Sequence, residues 1–382
     1  MVGNLESNDR TKAKDKRKTH MTLKTQSPQP WRATCIQMIG ERASQAPDFD
    51  SARVAIARNQ ARLVGMIEAA CASDAKPDLV VFPEFAMQGP PLGMAVETWI
   101  ERACSPVPGW LTQPLQDLAA REGIYIAGNA FEAPPEWPGR YFNTSFIIGP
   151  TGEVILRYRR VNVAAFPSVH DFMTGYLAKT PQEEVFPVVD TPLGKLCVIA
   201  CGEIMVPEVA RVMMMQGAEV ILHPTNSRFS EAQEAAKLAR ISENMTCMVS
   251  ANIAGPIGFS PDGMFQGGRS HILDHLGNTL AFQENAEESI GVSAMIDIAK
   301  LRRDRRADTG LSNPLLRARY EMYVPFYEAA KFYPPDMFLN TPMTNVRQTR
   351  AAIAKARENL EQAGVLMPLP AGAQEPVSTV EL

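Results

Sequence analysis

No run of apolar residues in this 382-residue chain approaches the roughly 20 that a membrane-spanning helix needs, so no membrane span is predicted. The start lacks an apolar leader as well. Met1 to about Gln29 is polar, with Arg10, Lys12, Lys14, Lys16, Arg17 and Lys18 broken by Asp9 and Asp15. That pattern excludes a secretory signal and predicts a disordered polar, basic tail over residues 1–30, with a contact arm as the alternative. Histidine is scarce: the five residues (20, 170, 223, 271, 275) show no ligand spacing with nearby cysteine, which argues against a metal site. The six cysteines (35, 71, 104, 197, 201, 247) form no CxxC pair, and several lie in apolar runs. A reduced, cytoplasmic protein fits that usage better than a disulfide scaffold. A net charge of −4 gives no general attraction to nucleic acid or to an anionic membrane.

What is present is ordinary globular material, 45% hydrophobic and 21% charged. Short apolar segments bounded by Gly, Pro, Asp or Asn predict strands at Ala33–Met38, Leu79–Phe82, Tyr125–Gly128, Phe142–Ile148, Val154–Tyr158, Leu196–Ala200, Val220–His223, Met248–Asn252, Ser270–Leu273 and Val292–Ile296. Helical spacing predicts helices from Asp50, as N-cap, to about Cys71, over Leu111–Arg121, over Val206–Gln216 with a stop at Gly217, and from Ser230 to about Met245. The mixture, with hairpins around Pro150-Thr151-Gly152 and His275-Leu276-Gly277, predicts a layered α/β sandwich. Residues 31–298 read as one domain, since no linker interrupts them. Residues 299–382 read as a C-terminal extension with short helices over Asn313–Tyr323 and Thr344 to about Ala363, packing either on its own domain or on a partner subunit. The Met213-Met214-Met215 run reads as packing material.

Three segments carry chemistry. Asp78-Leu79-Val80-Val81-Phe82-Pro83-Glu84 is a buried strand stopped by Pro83, with Glu84 at its end. An acid held near apolar surroundings has a raised pKa and can exchange protons near neutral pH; an exposed loop glutamate is the competing reading. Leu156-Arg157-Tyr158-Arg159-Arg160-Val161-Asn162 places cations at another strand end. Cys201 follows the apolar run Lys195–Ala200 and opens Cys201-Gly202-Glu203-Ile204-Met205-Val206-Pro207-Glu208. A lone cysteine is usually a small buried hydrophobe, but a thiol at a strand end before a helix sits where α/β folds place nucleophiles. A thiolate needs a base or a positive charge nearby, and Glu84 and the Arg159–Arg160 pair supply one of each.

In this order and spacing the three segments resemble the nitrilase superfamily of carbon–nitrogen hydrolases over roughly Trp31 to Ile298. Further landmarks carry the resemblance: Gln37, Gly128, Asn143-Thr144-Ser145, Gly194, Gly217-Ala218, Arg240, Glu243-Asn244, Asn252, and Gly267-Gly268 before Ser270. It implies a four-layer α-β-β-α sandwich that pairs with a second subunit as a homodimer or higher homo-oligomer, and no cofactor. It also implies Cys201 as nucleophile, Glu84 as general base and acid, and a cation that holds the oxyanion together with a backbone N–H just after Cys201. One position departs from the family: Arg160 stands where the family has lysine. Arginine keeps the charge but is bulkier and effectively never deprotonated. The family's frequent second glutamate is also not evident; Ser168, His170 and Asp171 occupy that loop, and Asp171 is the nearest carboxylate. Glu203 is expected either to support its neighbours or simply to cap the next helix. Phe166, His170, His223, Asn226 and Phe229 are candidate substrate contacts. The resemblance implies hydrolysis of an amide or N-carbamoyl compound. A nitrilase, suggested by the Cys201-Gly202-Glu203 triplet, and a non-catalytic binding protein, suggested by Arg160, are the other readings.

Overall fold

A computed structural model describes residues 28–163, 165–258, 263–370 and 372–373; the N-terminal tail expected over 1–30 falls almost wholly outside them. The first sheet takes β1 (Trp31–Gln37), β2 (Leu79–Val81), β3 (Tyr125–Glu132), β4 (Phe142–Ile148) and β5 (Val154–Arg159). The second takes β6 (Val189–Thr191), β7 (Gly194–Val198), β8 (Val220–Thr225), β9 (Cys247–Asn252), β10 (His271–Leu273) and β11 (Thr279–Phe282). The last strand, β12 (Ser289–Ile296), returns to the first sheet. The two six-stranded sheets run in the orders β12-β1-β2-β3-β4-β5 and β11-β10-β9-β8-β7-β6. In each, a parallel central trio (β1-β2-β3 and β7-β8-β9) is extended by antiparallel strands.

Strand alternation explains the layering, because successive side chains face opposite sides of a sheet. On β2, Leu79 and Val81 point into the core shared with the second sheet, whereas Val80 and the following Phe82 point into the core beneath the helices. That outer layer consists of α1 (Phe49–Cys71), α2 (Val96–Ala103) and α3 (Gln113–Glu122). Beyond a short helix, α4 (Met173–Leu177), the second sheet is covered by α5 (Pro207–Met215) and α6 (Glu231–Asn244). Val209, Ala210, Met213 and Ile241 of these two helices join the core on this side of the sheet; of the methionine run, Met213 and Met214 are buried as expected and Met215 is half-exposed. The four-layer α-β-β-α sandwich is therefore present.

Gly128 shows why one residue type is required at one place. A Cβ there would lie 2.0 Å from the Phe82 ring, so only glycine lets Phe82 pack against β3. Phe82 continues the pairing of its strand by donating its N–H to the Ala127 carbonyl, and Glu84 follows two residues later.

Several boundaries differ from the sequence expectation. Asp48, not Asp50, caps α1, accepting from Ser51 N at 2.7 Å. Edge strands β6 and β11 were not foreseen, being short and partly polar. β3 ends with Phe131 and Glu132, and beyond it Trp137 is buried against Phe142, Phe172 and Tyr176.

After α7 (Ile298–Asp304) the expected helix over Asn313–Tyr323 is instead a series of single 3₁₀ turns, and α8 (Val324–Ala329) follows. Prolines account for this, since Pro314 and Pro325 sit where a turn or helix begins and no backbone N–H is required. The last helix, α9 (Thr349–Gln362), starts later than the expected Thr344 and is preceded by a turn capped by Asn345. Part of the extension packs on its own domain. Met343, Val346 and Ala352 are buried, and Val96 N–H donates to the Thr344 carbonyl.

Candidate active site

Glu84, Arg160 and Cys201 come from strand ends of both sheets and meet between them. Glu84 follows β2 and is buried. Its Oε1 accepts from Asn143 Nδ2 at 2.8 Å and from Arg160 Nη1 at 3.1 Å. Arg160 follows β5. Its backbone N–H donates to the Asn143 carbonyl, and its Nε donates to the Asn162 carbonyl at 2.9 Å, so the guanidinium is fixed at both ends. Cys201 starts a 3₁₀ turn (Cys201–Met205) three residues after β7, with φ +47°. For a residue with a Cβ this left-handed conformation is strained, and such strain persists only where surrounding structure enforces it.

Asn226 joins the two halves. Its carbonyl accepts from Cys201 Sγ at 3.7 Å, its Nδ2 reaches the Glu84 carbonyl at 3.4 Å, and its Oδ1 accepts from Gly258 N–H at 2.7 Å. A cavity of about 70 Å³ adjoins Asn226 and is lined also by Phe85, Pro90, Arg42 and Ile253.

Burial sets the electrostatics. It pushes the Cys201 thiol up to about 11, with the Glu84 charge raising it further and the Arg160 charge opposing both. Burial also raises Glu84 above the usual carboxylate range, against the pull of Arg160 and the hydrogen bonds from Asn143, Cys201 and Arg160. At neutral pH the resting pair is thus a protonated thiol beside a carboxylate that is readily protonated.

Glu203 resolves the two readings left open for it. It is buried, accepting from Tyr158 OH at 2.8 Å through Oε2 and from the backbone N–H groups of Val161 (3.2 Å) and Asn162 (2.8 Å) through Oε1. It therefore holds the segment on both sides of Arg160. Arg240 on α6 grips the other side of the turn, donating to the carbonyls of Ile204 at 3.0 Å and Met205 at 3.3 Å. Beneath, Gln37 Oε1 accepts from Ser270 Oγ at 2.7 Å, Ser270 Oγ accepts from Asn252 N–H, and the Asn252 side chain brackets Ser227. The landmarks Gln37, Arg240, Asn252 and Ser270 are thus a buried frame around the site.

Other sequence candidates lie elsewhere in the fabric. Phe166 is buried edge-on to Phe85 and Phe131, with centroids 5.6 and 5.2 Å away. Asp171 closes a capping box with Ser168, accepting from its N–H at 2.7 Å; burial pushes the carboxyl up to about 6. The loop thus uses this carboxylate, and its hydrogen bond is to Ser168 rather than to the Glu84–Cys201 cluster. His170 faces Tyr333 of the extension, and Phe229 is half-exposed beneath Arg269. His223 lies fully buried under Cys201 and contacts its carbonyl, not the cavity side. Asn143 and Asn129 were not foreseen as site residues. Asn129 Nδ2 donates to Asn143 Oδ1, so two strands combine to aim one amide at Glu84. Among the described residues no group of acidic, histidine and cysteine side chains is placed to hold a metal ion.

Fold and site together define an α-β-β-α sandwich of the nitrilase-superfamily type, with a thiol, a buried carboxylate and a buried guanidinium at its centre. Residues 32–306 match the family model described as carbon-nitrogen hydrolase, and the chain belongs to that family. Among curated relatives, the formamidase of Bacillus thuringiensis (strain Al Hakam) is 32% identical over 207 residues, 53% of this chain and 57% of the relative. The chain thus spans little more than half the length of the curated relatives it matches. The fold is similar to a carbon-nitrogen hydrolase from Helicobacter pylori G27 (TM-score 0.58, 21% identity, 79% of this chain and 99% of that one). It is likewise similar to an amidase from Nesterenkonia sp. (TM-score 0.56, 18% identity, 78% of this chain and 96% of that one).

Proposed function

We propose that the protein hydrolyses a linear amide or N-carbamoyl compound through a thioester on Cys201. The observation that carries this reading is the joining of the Cys201 thiol to the buried Glu84 through Asn226, whose carbonyl is 3.7 Å from Sγ and whose Nδ2 is 3.4 Å from the Glu84 carbonyl, with Arg160 Nη1 3.1 Å from the Glu84 carboxylate. The formamidase and amidase relatives support the same bond type.

In the first half-reaction the sulfur attacks the carbonyl carbon while its proton passes to Glu84. The carbonyl electron pair moves to oxygen, and the oxyanion is held by Arg160 and the Gly202 N–H. Collapse re-forms the carbonyl and breaks the C–N bond as Glu84 protonates the departing nitrogen. Water then attacks the thioester, giving its proton to Glu84. Collapse breaks the C–S bond, and the proton returns to sulfur. Arg160 needs only its charge for this, since Glu84 makes every proton transfer.

The protein is further proposed to act as a homodimer or higher homo-oligomer. Leu311, Leu316, Met322 and Phe326 of the extension are exposed, and so much apolar side chain on one short stretch suits a contact with a second copy. Six free thiols suit a reducing compartment such as the cytoplasm.

The test is product release from a panel of small amides and N-carbamoyl compounds, with aryl and aliphatic nitriles alongside. Wild type is expected to release ammonia or amine from at least one amide, and Cys201→Ala none. Equal release by both proteins sinks the proposal, and acid formed only from nitriles replaces it with a nitrilase.

A further inference from the structure

His223 lies wholly inside the second sheet, on β8, and its ring spans two fixed partners. Nδ1 is 2.8 Å from Ser250 Oγ on the neighbouring strand, and Nε2 is 3.0 Å from the Cys201 carbonyl oxygen. A carbonyl oxygen only accepts, so Nε2 must carry the proton. A neutral ring then leaves Nδ1 as acceptor, and Ser250 donates to it. Burial and the nearby charges of Lys237 and Arg160, with His271 beside them, keep the ring neutral by holding its pKa well below the ordinary value. The Cys201 carbonyl thus dictates the tautomer, and the Ser250 hydroxyl, able to donate or accept, supports it by donating to Nδ1.

The consequence falls on the next peptide. A trans peptide group carries its C=O and N–H on opposite sides. With the Cys201 carbonyl drawn toward His223, the Gly202 N–H points away from the sheet. The first hydrogen bond of the turn is donated by Glu203, to Ala200, so the Gly202 N–H precedes it and has no partner within the turn. Arg160 Nη2 is close by: a Cβ built on Gly202 would lie 3.6 Å from it. The positive φ of Cys201 needs an enforcing contact, and the His223 bond to its carbonyl is one.

We infer that His223 is a positioning residue for acyl transfer: by holding the Cys201 carbonyl it keeps the Gly202 N–H aimed as an oxyanion donor, on the hydrolase reading given above. It touches neither substrate nor the reacting sulfur, and so differs from the substrate contact expected of it in the sequence.

The experiment compares His223→Leu, His223→Gln and Ser250→Ala with wild type in two reactions at Cys201. One is turnover of an amide that wild type accepts. The other is modification by methyl methanethiosulfonate, read on the Cys201 peptide, which forms the methyl disulfide and releases methanesulfinate without passing through a tetrahedral carbonyl oxyanion. His223→Leu is expected to lower kcat by roughly 10- to 100-fold, in line with losing an aligned oxyanion donor, and to leave KM within about twofold. Its thiosulfonate rate stays near wild type. His223→Gln, whose amide can donate from about the Nε2 position, recovers most of the loss, and Ser250→Ala shows a smaller fall in kcat. Should the leucine variant not fold, the other two variants carry the same comparison. Unchanged kcat in the leucine and alanine variants overturns the inference. So does an equal fall in both reactions, which marks general damage to the site. Absence of amide-derived acylation in wild type overturns the hydrolase reading and this inference with it, and is distinguishable because it precedes any variant.

Discussion

Arg160 is where this chain departs from its family, and the structure gives the departure a physical context. The guanidinium donates to two anchors at once, the Glu84 carboxylate through Nη1 and the Asn162 carbonyl through Nε. Arg160→Met is therefore expected to lower kcat by at least about 100-fold. Arg160→Lys, which keeps the charge, retains clearly more activity than methionine; steady-state kinetics on an accepted amide decides. Asn143 makes a prediction about pH. Its hydrogen bond favours the ionised form of Glu84, so removing it raises an already raised pKa. Glu84 must be ionised to take the thiol proton, so activity is gained as pH rises through this value. In Asn143→Ala the acid limb of kcat/KM should move to higher pH by about one unit; no movement, or movement downward, contradicts the assignment. The apparent values belong to the Glu84–Cys201 pair, since the two groups titrate together. Glu84, Arg160 and Cys201 were readable as candidates because three strand-end segments, each weak alone, follow one another in the order of the family they resemble. Asn143 was visible only as a landmark. Its role depends on β3 and β4 lying side by side, a register that no local pattern reveals. The same holds for His223, whose partners come from β9 and from the turn after β7.

Among elements, the turn Cys201–Met205 depends most on remote support. Glu203 ties it to the end of β5, and Arg240 ties it to α6. Glu203→Ala strands the Tyr158 hydroxyl and two backbone N–H groups and removes a charge facing Arg160, so a loss of about 3 kcal/mol in urea unfolding is expected. Glu203→Gln keeps an acceptor for Asn162 and should recover most of it. Gly128→Ala tests the contact between β3 and the segment that carries Glu84. The added methyl meets the Phe82 ring, so the variant should be destabilised by about 2 kcal/mol or more, and Phe82→Leu in the same chain should restore part of the loss. Most strands and five of the helices (α1, α3, α5, α6 and α9) were readable from helical or apolar spacing and from bounding residues. The exceptions have physical causes. Edge strands β6 and β11 are only three and four residues long and bury little, so they are too short for a periodic signature. In the extension, side-chain caps such as Asn313 and Asn345 and the prolines divide what the spacing suggested were single helices.

For the molecule as a whole, the extension divides into two stretches with different environments. Residues 336–352 are fastened to the domain: Asp336 accepts from Thr174, Phe338 N–H donates to the Asp171 carbonyl, and Arg140 donates to the carbonyls of Phe338 and Leu339. The stretch 311–329 touches the domain at buried Asn313 and the turn Pro314–Leu316, which lies against α6, and at Tyr327, whose hydroxyl is 3.1 Å from Glu208 on α5, and it leaves much apolar surface exposed. The account expects light scattering after size exclusion to give a mass of two chains or more, and Met322→Asp with Phe326→Asp to shift it toward one; a monomeric wild type contradicts it. The central claim is narrower: the carbon–nitrogen bond is broken through a thioester on Cys201. The most direct measurement is peptide mass spectrometry after exposure to an accepted amide and rapid acid quenching. The account predicts an added acyl group on the Cys201 peptide, lost on treatment with hydroxylamine and absent from Glu84→Gln. An unmodified Cys201 peptide during turnover, or turnover that survives Cys201→Ala, would contradict it.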